Sequence, residues 1–130
     1  EVFDDEVAAR IRLGARYTEL IVKAFGKDST RVRAPFIDPH NTSVYAQYTV
    51  EVGGREFVET RMKAQGVPTA VHYPLPLHLQ PVFAHLGQGE GSFPVSEAAA
   101  RRVISLPMHP YLSDADQVKV VSALQESVAA

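Results

Sequence analysis

Prolines at positions 68, 74, 76 and 81 divide this chain more firmly than any other feature of its sequence. Each ring fixes φ and removes a backbone donor, so neither a helix interior nor a central strand can run through the stretch. Regular structure must lie on either side of it, with a short strand predicted over residues 69–73 as the last element before the break. A segment stiffened in this way holds side chains in place at small entropic cost. This one carries His72, Tyr73, His78 and Gln80, while Val71, Leu75 and Leu77 can anchor its backbone.

On the N-terminal side, Val7, Ile11, Ala15, Ile21 or Val22, and Phe25 recur at the helical period and predict an amphipathic helix over residues 4–25. Asp4 or Asp5 can cap it, Lys23 suits its negative end, and Gly26 can stop it. A short strand is expected over 30–36, followed by turn chemistry at Asp38-Pro39-His40-Asn41. Residues 43–52 alternate, with Val44, Ala46, Tyr48, Val50 and Val52 on one face of a half-buried strand. After Gly53-Gly54, Phe57, Val58, Arg61 and Met62 mark a helix over 55–65 with Gly66 as its C-cap.

On the C-terminal side, residues 86–93 form a glycine-rich loop, 94–102 a short helix and 103–106 a further strand. Ser113 and Asp116 have capping-box spacing before a last helix, whose buried stripe is expected at Val118, Val121, Leu124 or Gln125, and Val128. The 130 residues, 45% of them hydrophobic, suffice for one domain. The element order predicts an α+β fold, a small, mainly antiparallel sheet with helices packed on one face.

Several chemistries are excluded. A net charge of −2 gives no electrostatic footprint for nucleic acid. Zero cysteines remove disulfides, thiolate zinc sites and a cysteine nucleophile, and fit a reducing compartment. No apolar run approaches the ~20 residues that cross a bilayer, and the acidic start at Glu1, Asp4 and Asp5 is unlike a signal peptide. A cytoplasmic protein with no membrane or nucleic-acid partner is expected. Gly26-Lys27-Asp28-Ser29 is no phosphate loop, Gly87, Gly89 and Gly91 read as a plain loop, and no serine has a G-x-S-x-G setting. His40, His72, His78, His85 and His109 are scattered without metal-ligand spacing, so no metal is expected. Arg10, Arg12 and Arg16 read as a solvated helix face.

What remains is the proline segment. Its imidazoles, phenol and carboxamide suit diphosphate, sugar hydroxyls and carboxylates. The alternative, that His72 and Tyr73 are satisfied within the fold, stays open at this point.

The N-terminal run from Phe3 to Tyr17, the stretch from Asn41 to Val50, and Gly66-Val67-Pro68-Thr69 with His72-Tyr73-Pro74 form one ordered set. Phe93-Pro94-Val95-Ser96-Glu97 and Ser105-Leu106-Pro107-Met108-His109-Pro110 extend it. Together these stretches resemble the DegT-type nucleotide-sugar aminotransferases, pyridoxal-phosphate (PLP) enzymes of the aspartate-aminotransferase fold.

The resemblance implies that residues 1–130 are the C-terminal small domain of such an enzyme, without the large PLP-binding domain. In the intact homodimer a lysine would hold PLP as a Schiff base, L-glutamate would donate the amino group, and a nucleotide-linked keto-sugar would accept it. The pattern is most similar to enzymes that aminate UDP-linked 3-keto sugars, uronic acids included, for cell-surface polysaccharides. Lys23, Lys27, Lys63 and Lys119 fall in small-domain segments, so the resemblance places no catalytic residue in this chain and no PLP on it alone. It implies that His72 and Tyr73 contact substrate phosphate or sugar and that His78 and Gln80 line the outer edge. An uncovered apolar patch is expected, chiefly on the first helix. A rival reading is a non-catalytic small-molecule-binding or regulatory α+β module.

Overall fold

In a computed structural model describing residues 2–129, helix α1 (Val2–Phe25) runs the length expected of it. Glu1, part of the acidic start, lies outside the described residues. Asp4 and Asp5 occupy the first turn and Lys23 the last, each with the sign that favours its end of the helix dipole. Gly26, at φ 89°, ends the helix.

The buried face of α1 differs from the expected stripe. It comprises Leu13, Gly14, Tyr17 and Ile21, whereas Val7, Ile11 and Phe25 are half-buried and Ala15 is exposed. Tyr17 shifts the stripe because it is amphipathic: its ring is fully buried while its hydroxyl donates to the Pro107 carbonyl at 2.9 Å. Gly14 is required by a close approach, since a Cβ there would overlap the Tyr45 ring.

Strands β1 (Val32–Arg33), β2 (Tyr48–Val52) and β3 (Val103–Leu106) form an antiparallel sheet in the order β1-β2-β3. Each shortfall from the predicted strands has a local cause. Pro35 has no donor to extend β1. Tyr45 takes φ 43°, which delays β2 until Tyr48. The strand expected over 69–73 reduces to one antiparallel bridge between Ala70 and Ser105, with N···O distances of 3.2 and 2.7 Å, because Pro68 and Pro74 bound it.

Helix α2 (Arg55–Ala64) follows β2, α3 (Pro94–Arg102) precedes β3, and α4 (Asp114–Val128) closes the fold. Val32, Tyr48, Val50, Val52, Ile104 and Leu106 of the sheet meet Tyr17 and Ile21 of α1, Val58 and Met62 of α2, and Val120, Val121 and Leu124 of α4. Each fully buried aliphatic side chain among them contributes about 1.5–3 kcal/mol. This is the expected α+β class, with the main helices on one face of a small antiparallel sheet. Short α3 meets the opposite side, where Arg102 Nε lies 3.4 Å from Glu51 Oε2, and Glu51 alternates with buried Val50 and Val52.

Two further expectations are corrected. Arg10 and Arg16 are not a solvated face. Arg10 donates to the Tyr45 carbonyl at 3.2 Å, and Arg16 reaches Gln117 Oε1 at 3.1 Å and Asp114 Oδ2 at 3.4 Å. Gln117 is itself buried and donates to the Leu13 carbonyl at 2.8 Å, so the α4 stripe runs through Gln117, Val120, Val121 and Leu124 while Val118 is exposed. The uncovered apolar side chains also lie mainly elsewhere than on α1. That helix exposes Val2, Phe3 and Val22, whereas Tyr73, Leu75, Leu77, Val82, Leu86, Phe93 and Val95 are exposed along residues 73–95. Among the described residues no helix is long and apolar enough to cross a membrane.

Candidate functional site

The Ala70–Ser105 bridge pins the chain to the outer edge of β3, and His72 follows two residues later. Its ring meets that of Tyr73 edge-on, with centroids 5.8 Å apart. Pro76 then holds φ −56° and ψ 148°, and two 3₁₀ turns follow, Leu77–Leu79 and Pro81–Leu86, the second stopped by Gly87 at φ 67°.

Between this segment and α3 lies a cavity of about 460 Å³. His72, Tyr73, Leu75, Leu77 and Gln80 form one wall, and Ser96, Ala99 and Ala100 of α3 with Val103 form the other. The small residues of α3 recur at helical spacing and leave the volume open. His72 is exposed and Tyr73 is 74% exposed, so neither ring is consumed by the core. His72 also lines a hollow of about 250 Å³ beside Gln47, Thr69 and Ser105, and thus stands on the ridge between two concavities.

His78 is placed differently. Its side chain is 10% exposed, its Nε2 lies 3.1 Å from Glu97 Oε1, and its ring centroid is 4.8 Å from that of Phe93. The Glu97 carboxylate also accepts the Gly91 N–H at 2.9 and 3.0 Å and the Phe93 N–H at 3.2 Å. The Gly91 hydrogen bonds, followed by those from Phe93 and His78, hold this carboxyl below the usual carboxylate range despite its burial. The glycine-rich stretch is therefore more than a plain loop: Gly91, at φ 85°, presents its N–H to a buried charge. With Gln80, His78 also borders a hollow of about 340 Å³ on the side of Gly87 and Gly89.

The structure thus brings His72, Tyr73 and Gln80 to one cavity and turns His78 toward Glu97. Sequence reasoning misses Glu97 and Ser96 as site residues. The available signal is a glutamate in the first turn after Phe93-Pro94, within reach of backbone N–H groups ahead of the helix.

Among the described residues no group of three or more His, Cys, Asp or Glu could hold a metal ion. The residues present do not fit PLP either. Lys23, Lys27, Lys63 and Lys119 are all exposed, whereas a Schiff-base lysine needs an enclosing pocket. The cavity beside His72 offers neither a lysine amine nor a carboxylate for a pyridine nitrogen.

Over residues 1–125 the chain matches the family described as DegT/DnrJ/EryC1/StrS aminotransferases. It is 46% identical over 123 residues to the UDP-2-acetamido-2-deoxy-3-oxo-D-glucuronate aminotransferase of Pseudomonas aeruginosa, covering 95% of this chain and 32% of that protein. It is 42% identical over 117 residues to the pleiotropic regulatory protein of Geobacillus stearothermophilus, covering 90% of this chain and 31% of that one. Among solved structures, S. venezuelae DesV in complex with a ketimine intermediate is similar at a TM-score of 0.88 and 30% identity, over 98% of this chain and 33% of that one. The chain spans about a third of the length of these proteins.

Proposed function

This chain belongs to the DegT/DnrJ/EryC1/StrS aminotransferase family, and from that membership we propose that the whole protein moves an amino group from L-glutamate to a UDP-linked keto-sugar for cell-surface polysaccharide synthesis. On this reading the 130 residues are its C-terminal small domain, inactive alone. The intact protein works as a cytoplasmic homodimer, and the PLP that this family uses is held by residues beyond this chain. The observation that carries the reading is the meeting of His72, Tyr73 and Gln80 at one cavity.

The chain's own contribution is binding and orientation. His72 and Tyr73 supply donors for diphosphate oxygens, sugar hydroxyls or a uronate carboxylate, and Gln80 adds a carboxamide from the far end of the same wall. Leu75 and Leu77 keep that wall apolar between them, and Ala99 and Ala100 leave room for a sugar ring.

A regulatory module is the second reading, favoured by the name of the G. stearothermophilus relative. Such a protein would bind a nucleotide-sugar without turning over glutamate. One experiment addresses both. In the whole protein, single-turnover conversion of PLP to pyridoxamine phosphate with glutamate is followed by reconversion with the keto-sugar. We expect both steps in the native protein and a loss of about ten- to a hundred-fold confined to the sugar step in His72→Ala. Absence of either step in the native protein overturns the enzyme reading. Equal slowing of both steps by His72→Ala, or none, overturns the site.

A further inference from the structure

We propose that Glu97 is a positioning residue that ties the two walls of the His72 cavity together from behind. The role in substrate binding rests on the reading of that cavity as the nucleotide-sugar site.

The two walls belong to separate parts of the chain. Ser96, Ala99 and Ala100 project from α3 into the cavity, and Leu77 and Gln80 approach from the first 3₁₀ turn. A helix turns about 100° per residue, so Glu97, next to Ser96, points off the cavity-facing side. His78 stands between Leu77 and Gln80, and its Nε2 meets Glu97 Oε1 at 3.1 Å behind the cavity. The same carboxylate takes the N–H groups of Gly91 and Phe93, which lead into α3. One buried charge, its side chain 9% exposed, therefore joins the 77–79 turn, the glycine loop and the start of the helix.

Little else holds these pieces to one another. Leu77, Val82, Leu86 and Phe93 are exposed, and neither 3₁₀ turn contains a buried residue. A segment without apolar burial takes its geometry from its polar contacts and its prolines. The reach of Gln80 and Leu77 toward α3 is then set by the Glu97 contacts. A positioning role predicts weakened sugar binding with the glutamate step intact. A merely structural role would lower both steps together.

The test uses the whole protein and Glu97→Gln, which keeps the side-chain shape but loses the second acceptor oxygen and the charge. We expect the keto-sugar concentration for half-maximal reaction to rise about five- to twentyfold, with the glutamate half-reaction within about twofold of native. His78→Phe keeps the contact with Phe93 but removes the donor and should raise the same quantity about three- to tenfold. His78→Gln returns an N–H donor near the Nε2 position and should recover most of that loss.

Amide hydrogen exchange supplies a readout that needs no sugar. Glu97→Gln should accelerate exchange at Gly91 and Phe93 by about tenfold or more and loosen residues 77–80 with them. Unchanged exchange at these amides, or equal slowing of both half-reactions, overturns the proposal. So does a sugar step that stays native in Glu97→Gln while His72→Ala impairs it. If His72→Ala also leaves the sugar step native, the cavity reading and the effect on sugar both fall. Faster exchange at Gly91, Phe93 and residues 77–80 then still supports the tie between the walls, and unchanged exchange removes it.

Discussion

The body formed by α1, α2, α4 and the sheet is held by apolar side chains that reach across the fold, whereas residues 72–97 are held by prolines and one buried carboxylate. In the body, Tyr17, Ile21, Tyr48, Met62, Ile104 and Leu124 are essentially inaccessible to solvent. In the segment, Tyr73, Leu77, Val82 and Val95 are all more than half exposed. A packed core stabilises itself through area removed from water, and a segment without one depends on backbone stiffness and a few directional contacts. The cavity lies where the two meet, with Val103 and the Ala70 bridge as its rigid edge and the proline segment as its adjustable wall.

The sharpest way to break this contrast is to make the same substitution in each region. Tyr17→Ala removes a fully buried ring and the donor to the Pro107 carbonyl and should cost about 3–5 kcal/mol. Tyr73→Ala removes a ring that is 74% exposed and should change stability by no more than about 0.5 kcal/mol. Urea denaturation of this chain followed by circular dichroism measures both. Equal losses would show that the segment is as integral to folding as the core.

Extremes of pH should separate the regions in opposite directions. The Glu97 carboxyl is held low in the folded state, chiefly by the Gly91 N–H. Its contribution is present above the ordinary glutamate range and is lost as pH falls through the lowered folded value. Burial pushes the Tyr17 and Tyr48 phenols up from the ordinary value of 10.0. Their contribution is present below that value, and at higher pH the folded state loses up to about 1.4 kcal/mol per pH unit for each phenol. Hydrogen exchange should therefore show the segment loosening first in acid, and absorbance of tyrosinate should appear with core unfolding in alkali. Acid exchange that begins in the sheet would contradict the division.

Local signals in the sequence account for much of the body. The Ser113 cap, with Asp116 N–H donating to its hydroxyl at 3.1 Å, depends on neighbours three residues apart and is visible in sequence. So are the stops at Gly26 and Gly66 and the buried face Tyr48, Val50 and Val52. What local patterns miss is set by distant partners. Gln117 is buried because the Leu13 carbonyl, 104 residues away, accepts its amide. Gly14 is dictated by the Tyr45 ring, and Arg16 by the start of α4. At the site, His72, Tyr73 and Gln80 are legible because prolines confine them to one short stretch. The direction of His78 is not, since Glu97 lies 19 residues further on, beyond a loop whose glycines have no periodicity to read.

The smallest effect should come from Tyr73→Phe, and it tests how the adjustable wall contributes to binding. The substitution keeps the ring and its edge-on contact with His72, and it removes only the hydroxyl. Because the side chain is largely exposed, stability should be unchanged within about 0.5 kcal/mol. One hydrogen bond to a bound ligand contributes a net of about 0.5–1.5 kcal/mol, which corresponds to roughly two- to tenfold in the keto-sugar half-reaction. The glutamate half-reaction should not move. His72 is the better placed of the two, standing at the rim of both concavities, so its removal should exceed that of the phenol oxygen. If Tyr73→Phe costs as much as His72→Ala, the hydroxyl is the main anchor and the imidazole a neighbour. If it costs nothing while Tyr73→Ala does, the ring acts as an apolar lid and the wall binds through contact area rather than through its donor.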